Sequence, residues 1–233
     1  MAFVMNSWYV AAWPNEVGSE RMLARTICGK PMIFFRDQNG KAVALEDRCC
    51  HREAPLSLGW MESDCTVRCG YHGLRFDAQG TCVEIPGQSR IPTNARVRSH
   101  PVLERHGWVW VWPGDPDKAN PDKIPSMLHR NQADGWTSVG NTSYVKGHYQ
   151  LIVDNLMDLT HVTFVHRGSL GDPTVVDSPL EIRHDAQSVS YERWMFDHEP
   201  SPFWKRNIVS KLGREVRVDR WQIMRFEPPC FIV

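Results

Sequence analysis

Two short clusters of cysteine and histidine constrain this chain more than any other feature. They are Cys49-Cys50-His51 and, eighteen residues on, Cys69-Gly70-Tyr71-His72. As patterns they read C-x-H and C-x-x-H, and each supplies one thiol and one imidazole. Any fold that uses them must bring two loops tip to tip. Both thiolates can then bind one iron and both imidazoles a second, which is the ligation of a [2Fe–2S] centre with His replacing Cys on one iron. Neutral imidazoles leave such a cluster less negative than four thiolates would. Its reduction potential rises accordingly, to about −150 to +300 mV.

This ligation is that of a Rieske centre. Zinc also accepts two Cys and two His, as in a structural knuckle. Zinc motifs usually pair Cys with Cys and His with His across a short spacer, whereas each half here is mixed. A disulfide framework fits poorly: the seven cysteines are an odd number, and Met1 to Tyr9 lacks the charged start and apolar core of a secretory signal. Adjacent side chains in an extended loop point apart, so Cys49 rather than Cys50 accompanies His51. Cys65 lies outside the tight second loop, which leaves Cys69.

Lys+Arg and Asp+Glu are equal at 27 each, so no basic excess suggests nucleic acid and no acidic tail suggests disorder. No apolar run reaches membrane-spanning length. The expectation is a soluble, cytoplasmic protein with reduced thiols. Ten tryptophans are many for 233 residues, and most are expected in an aromatic core.

Up to about Gly114 the chain reads as short strands and turns. Apolar runs at residues 32–35 and 42–45 flank Asp37-Gln38-Asn39-Gly40, a hairpin signal. Residues 69–85 repeat the theme around Asp77-Ala78-Gln79-Gly80. Trp108 to Trp112 is apolar on both faces, as a strand buried on both sides would be. Pro55 and Gly73 suit tight turns beyond the cluster loops. The Pro- and Asp-rich stretch from Pro113 places a domain boundary at 115/116, dividing the chain into 1–115 and 116–233. Beyond it, Tyr149 to about Val165 has helical periodicity with an apolar stripe of Ile152, Leu156 and Leu159. Residues 180–182, 188–195 and 217–226 alternate as strands.

The helical stretch carries a second set of ligand types. At about 100° per residue Asp154, Asp158 and His161 share a face. His166 follows His161 by five residues, so a widened turn or a helix end is needed for both to reach one metal. Two His with a carboxylate and open positions form the facial triad of non-haem Fe(II) oxygenases. Alone, the pattern would read as a solvated helix face. Beside a one-electron cluster, an oxygen-activating iron is a suitable acceptor. Asp158, three residues before His161, is placed to accept that imidazole's N–H.

The chain resembles the Rieske non-haem iron aromatic-ring oxygenases, and within them vanillate O-demethylase and toluenesulfonate methyl-monooxygenase oxygenase components. The stretches that carry the resemblance are residues 6–11, Cys49-x-His51-x-x-Ala54-Pro55-Leu56, Cys69-x-Tyr71-His72-Gly73-Leu74, residues 111–115, residues 154–161 with His166, and residues 219–223. It implies an α+β chain: an N-terminal all-β Rieske [2Fe–2S] domain followed by a truncated helix-grip α+β catalytic domain. It implies Cys49, His51, Cys69 and His72 on the cluster, His161 and His166 on a mononuclear Fe(II), and Asp158 in the hydrogen bond linking the two centres. It also implies a homotrimer, O₂ and a small aromatic acid as substrates, and electrons from NADH through a separate reductase. O-demethylation of a vanillate-like acid is the activity expected first. Toluenesulfonate-like methyl hydroxylation is the alternative, and a Rieske electron carrier a further one. The family's carboxylate ligand comes from a late helix expected beyond Val233. Asp172, Asp177 and Asp219 match no ligand motif, so no third ligand is assigned.

Overall fold

The computed structural model describes residues 3–125 and 133–233, with positions 208–210 described by backbone alone. By contact the chain forms two compact units, Met1–Gly140 and Asn141–Val233.

The first unit is built of short strands: β1 (Tyr9–Ala12), β2 (Leu23–Ile27), β3 (Lys30–Arg36), β4 (Ala42–Glu46), β5 (Trp60–Met61), β6 (Val67–Arg68), β7 (Arg75–Phe76), β8 (Cys82–Glu84), β9 (Ser99–His100), β10 (Val102–Arg105) and β11 (Trp108–Val111). Among the described residues they form three sheets, ordered β1-β11-β10, β2-β3-β4-β9 and β5-β6-β7-β8. Two hairpins turn on the same device. Asp37 Oδ1 accepts the N–H groups of Asn39 and Lys41, each at 2.9 Å. Asp77 Oδ1 does the same for Gln79 and Thr81, at 2.9 and 2.8 Å. A carboxylate that caps its own loop competes with a strand and ends it.

The run from Met32 to Phe35 is fully buried because both faces of its sheet are covered. Ile33, Phe35, Val43 and Leu45 pack in one core with Leu56, Val67, Phe76 and the side chains of Cys49 and Cys69. Met32, Phe34, Ala42 and Ala44 pack in the other with Val109 and Val111. At about 1.5–3 kcal/mol per fully buried large apolar side chain, these clusters are the main stabilising term for the unit. Both cysteines chosen from sequence are thus rooted in a core.

The expectation that most tryptophans are internal is corrected. Trp8, Trp110 and Trp112 are buried, while Trp60, Trp136, Trp194, Trp204 and Trp221 are exposed. The stretch after β11 also groups differently from the sequence-based boundary. The indole of Trp8 donates to the Asn120 carbonyl at 2.8 Å, Arg105 donates to the Pro121 carbonyl at 3.0 Å, and Ile124 is buried. These contacts hold residues 116–124 on the first unit.

The second unit contains α1 (Tyr149–Met157), α2 (His161–Val165), α3 (Thr174–Asp177), β12 (Glu181–His184), β13 (Val189–His198), β14 (Val218–Glu227) and β15 (Phe231–Ile232). The strands form an antiparallel meander, β12-β13-β14-β15. The single helix expected over 149–165 is two helices, broken at residues 158–160. No side chain of α1 is buried, and its apolar residues Ile152 and Leu156 are exposed. On β13, Tyr191, Arg193 and Met195 are buried while Trp194 and Phe196 face out.

Candidate metal centres

The two cluster loops have one backbone design. In the first, the N–H of Cys49 donates to Ala54 O at 2.9 Å and the N–H of Glu53 to Cys49 O at 2.9 Å. In the second, the N–H of Cys69 donates to Leu74 O at 2.8 Å and the N–H of Gly73 to Cys69 O at 3.1 Å. Each loop needs a left-handed residue four places after its cysteine, Glu53 at φ 60° and Gly73 at φ 76°. Glycine fills that position without a Cβ penalty. In the first loop Glu53 takes it, tied to Arg48 by an ion pair. Sequence reading pointed to Pro55 instead, because a non-glycine left-handed residue leaves no compositional mark. Gly70 of the second loop packs against the turn that follows the first, where a Cβ would lie 2.8 Å from the Leu58 carbonyl oxygen.

Side chains outside the motifs brace these loops. Asp47 accepts Ser57 N–H at 2.7 Å and Ser57 Oγ–H at 2.6 Å, closing the neck of the first loop. Arg68 donates to the Gly73 carbonyl at 2.9 Å while paired with Glu62 and Glu84. The Tyr71 ring lies against His72, centroids 3.9 Å apart.

The result is a layered arrangement. Cys49 and Cys69 are buried at 2% and 1% exposure, with the Cys69 thiol beside that of Cys49. His51 and His72 are exposed, their rings edge to face with centroids 4.6 Å apart. Burial, ahead of every other influence, pushes the Cys49 thiol up to about 12, so ligation to a metal must displace its proton. Cys50 is exposed. Among the described residues, no three His, Cys, Asp or Glu side chains form a group fit to hold a single ion. The four side chains instead form two pairs, thiol with thiol and imidazole with imidazole. That suits a two-iron cluster with both thiolates on one iron and both imidazoles on the other. The pairs fit a Rieske centre, with the imidazole edge toward solvent. A cleft of about 530 Å³ lined by Cys50, Leu74, Ile85 and Pro86 adjoins His51 and His72.

In the second unit the rings of His161 and His166 are 5.5 Å apart. They become neighbours because α2 is one turn long and ends at Val165. His166 follows at φ −106°, ψ 23°, off the helical path. The Nδ1 of His161 is 2.6 Å from the main-chain carbonyl of Asp158. A carbonyl acceptor there puts the proton on Nδ1 and leaves Nε2 for a metal. The Asp158 carboxylate instead accepts the Thr160 N–H at 3.0 Å, and this bond, first among its influences, holds it below the usual carboxylate range. Asp172 is 3% exposed: its Oδ1 caps Thr174 N–H at 2.9 Å, and its buried Oδ2 lies 3.1 Å from His198 Nδ1 without a hydrogen bond. Asp219 accepts from the Asp197 N–H at 2.9 Å. No carboxylate among the described residues joins the His161–His166 pair.

Residues 7–100 match the Rieske [2Fe–2S] domain, and residues 145–233 match the vanillate O-demethylase oxygenase C-terminal domain. The chain belongs to the Rieske oxygenase family. Among its relatives in that family is the toluene-4-sulfonate monooxygenase system iron-sulfur subunit of Comamonas testosteroni, 42% identical across 99% of this chain and 65% of that one. A vanillate O-demethylase oxygenase subunit of Pseudomonas sp. strain HR199 is 40% identical across 99% of this chain and 64% of that one. The crystal structure of dicamba monooxygenase bound to 3,6-dichlorosalicylic acid superposes with a TM-score of 0.89 at 35% identity, covering 98% of this chain and 66% of that one. The chain therefore spans a little under two thirds of the length of these Rieske oxygenase relatives. Its architecture is that of the family, a Rieske β domain followed by part of an α+β catalytic domain. Among the described residues no helix is long and apolar enough to cross a membrane.

Proposed function

We propose that this chain carries both metal centres of the oxygenase component of an aromatic monooxygenase, one that O-demethylates a methoxylated aromatic acid of the vanillate type. The observation that carries this reading is the presence in one chain of two separate ligand sets: the Cys49–Cys69 and His51–His72 pairs, and the His161–His166 pair. Cys49 and Cys69 would hold one iron of the cluster and His51 and His72 the other. His161 and His166 would hold a mononuclear Fe(II). When bound, the cluster supplies one-electron storage and the ferrous iron supplies activation of O₂.

The chain's own work is positioning. The buried thiols anchor the cluster in the core, and the exposed imidazoles present it to a partner. The Asp158 carbonyl sets the tautomer and the direction of His161. The Asp158 carboxylate, ionised beside the helix break, is the group proposed to accept a hydrogen bond from His72 of a neighbouring subunit in a homotrimer. Electrons would come from NADH through a separate reductase, in the cytoplasm. The net reaction takes an aryl methyl ether, O₂, NADH and a proton to a phenol, formaldehyde, water and NAD⁺.

Similarity to a dicamba O-demethylase, 46% identical over 170 residues, and to the vanillate enzyme favours ether cleavage. The 42% identity to the toluene-4-sulfonate system supports a second reading, hydroxylation of a methyl group carried directly on the ring. The test offers methoxybenzoates and toluenesulfonate, with reductase and NADH, and analyses products. Formaldehyde released stoichiometrically with phenol is expected. A benzylic alcohol from toluenesulfonate, with no formaldehyde from any ether, would replace the first reading by the second.

A further inference from the structure

We propose that Arg193 is a positioning residue for the His161–His166 pair, holding from the sheet the turn from which His161 projects. The proposal rests on the reading of those histidines as metal ligands. Arg193 lies on β13 between Tyr191 and Met195 and is 9% exposed. A guanidinium is rarely placed in such a position unless its hydrogen bonds are used. Its fork reaches two elements of the helical layer. Nη1–H donates to the Val175 carbonyl in α3 at 2.7 Å, and Nη2–H donates to Thr160 Oγ1 at 3.2 Å.

Thr160 is the residue before His161 and forms the N-terminal boundary of α2. The turn it belongs to is held on the other side by Asp158, whose carboxylate takes the Thr160 N–H and whose carbonyl takes His161 Nδ1. A helix of five residues has no stability of its own in water. The direction of α2 is therefore set by its packing through Val162 and by ties that include Arg193 to Thr160 at its start and Thr163 Oγ1 to the Asp172 carbonyl, 2.9 Å, in its middle. Arg193 touches neither imidazole and acts through Thr160.

The experiment titrates the protein with Co(II), read by ligand-field absorption. Groups behind metal-binding histidines are typically worth 10–100-fold in affinity. Arg193→Met should weaken Co(II) binding at least tenfold and shift the ligand-field bands, and Arg193→Lys should recover part of the loss. Thr160→Val should weaken binding in the same direction, while Thr160→Ser, which keeps the hydroxyl, should bind as the wild type does. In the Arg193→Met background, Thr160→Val should add little, because both changes break one contact. Visible absorption of the cluster should be unchanged throughout. Wild-type affinity and bands in both Arg193→Met and Thr160→Val would overturn the proposal, and Thr160→Val keeps it open to refutation where loss of the buried cation prevents folding. His161→Ala should abolish Co(II) binding. Full binding there would instead overturn the ligand reading itself, and the proposal with it.

Discussion

His161 Nδ1 is held by the main-chain carbonyl of Asp158, 2.6 Å away, and not by the Asp158 carboxylate, which is turned to the N–H of Thr160. One residue would thus serve the proposed metal site twice, through its backbone for orientation and through its side chain for charge. The two roles separate under mutation.

Asp158→Asn keeps the carbonyl and removes the charge. Both metal centres should therefore load, and dithionite should still reduce the cluster. Electron transfer from the cluster to the mononuclear iron should slow by at least tenfold. Single-turnover kinetics with pre-reduced cluster, substrate and O₂ check this. Reoxidation of the cluster at the wild-type rate would return Asp158 to a purely local capping role.

Asp172→Asn should destabilise the second unit by roughly 3 kcal/mol, because it leaves His198 and Arg220 beside a buried group without its charge. Co(II) affinity should change less than twofold in molecules that remain folded. Thermal unfolding and metal titration of the same sample separate the two effects. A large loss of affinity at unchanged stability would make Asp172 a ligand.

The pH dependence of the first unit should carry the mark of His100. The side chain is 5% exposed, and burial, followed by the charges of Arg98 and Lys30, lowers its pKa to about 4. The unfolded chain binds this proton near pH 6.5, so between about pH 4 and 6.5 it binds more protons than the native state. Stability should rise with pH across that window and be present in full above it, with a contribution of about 3 kcal/mol at most. Denaturant unfolding of His100→Leu should show a flatter profile there than the wild type. Identical slopes would mean that His100 is not the titrating group.

Much of this design is legible in the residues themselves. The C-x-H and C-x-x-H pair, the Asp-x-x-Gly hairpins and the period-two runs of β11, β13 and β14 all depend on local chemistry. The break between α1 and α2 is less visible. Helical periodicity continues through residues 158–160, but Asp158 caps Thr160 and stops the first helix, a competition that periodicity does not register. Glu53 could not be foreseen as a left-handed residue, since its conformation is imposed by the loop it shares with Cys49. Arg193 carried a faint signal, a charge at an inward position of an alternating strand. Burial of the tryptophans depends on tertiary partners, and composition alone was a poor guide to it.

In the proposed ligand set Cys49 and Cys69 share one iron of a cluster whose other iron is held by His51 and His72. Electron paramagnetic resonance of the dithionite-reduced protein tests it most directly. A rhombic signal with an average g below the free-electron value, with coupling to two imidazole nitrogens, is expected. Cys49→Ser or Cys69→Ser should abolish it, while Cys50→Ser and Cys65→Ser should leave it intact. A signal that survives in Cys49→Ser and vanishes in Cys50→Ser would contradict the assignment.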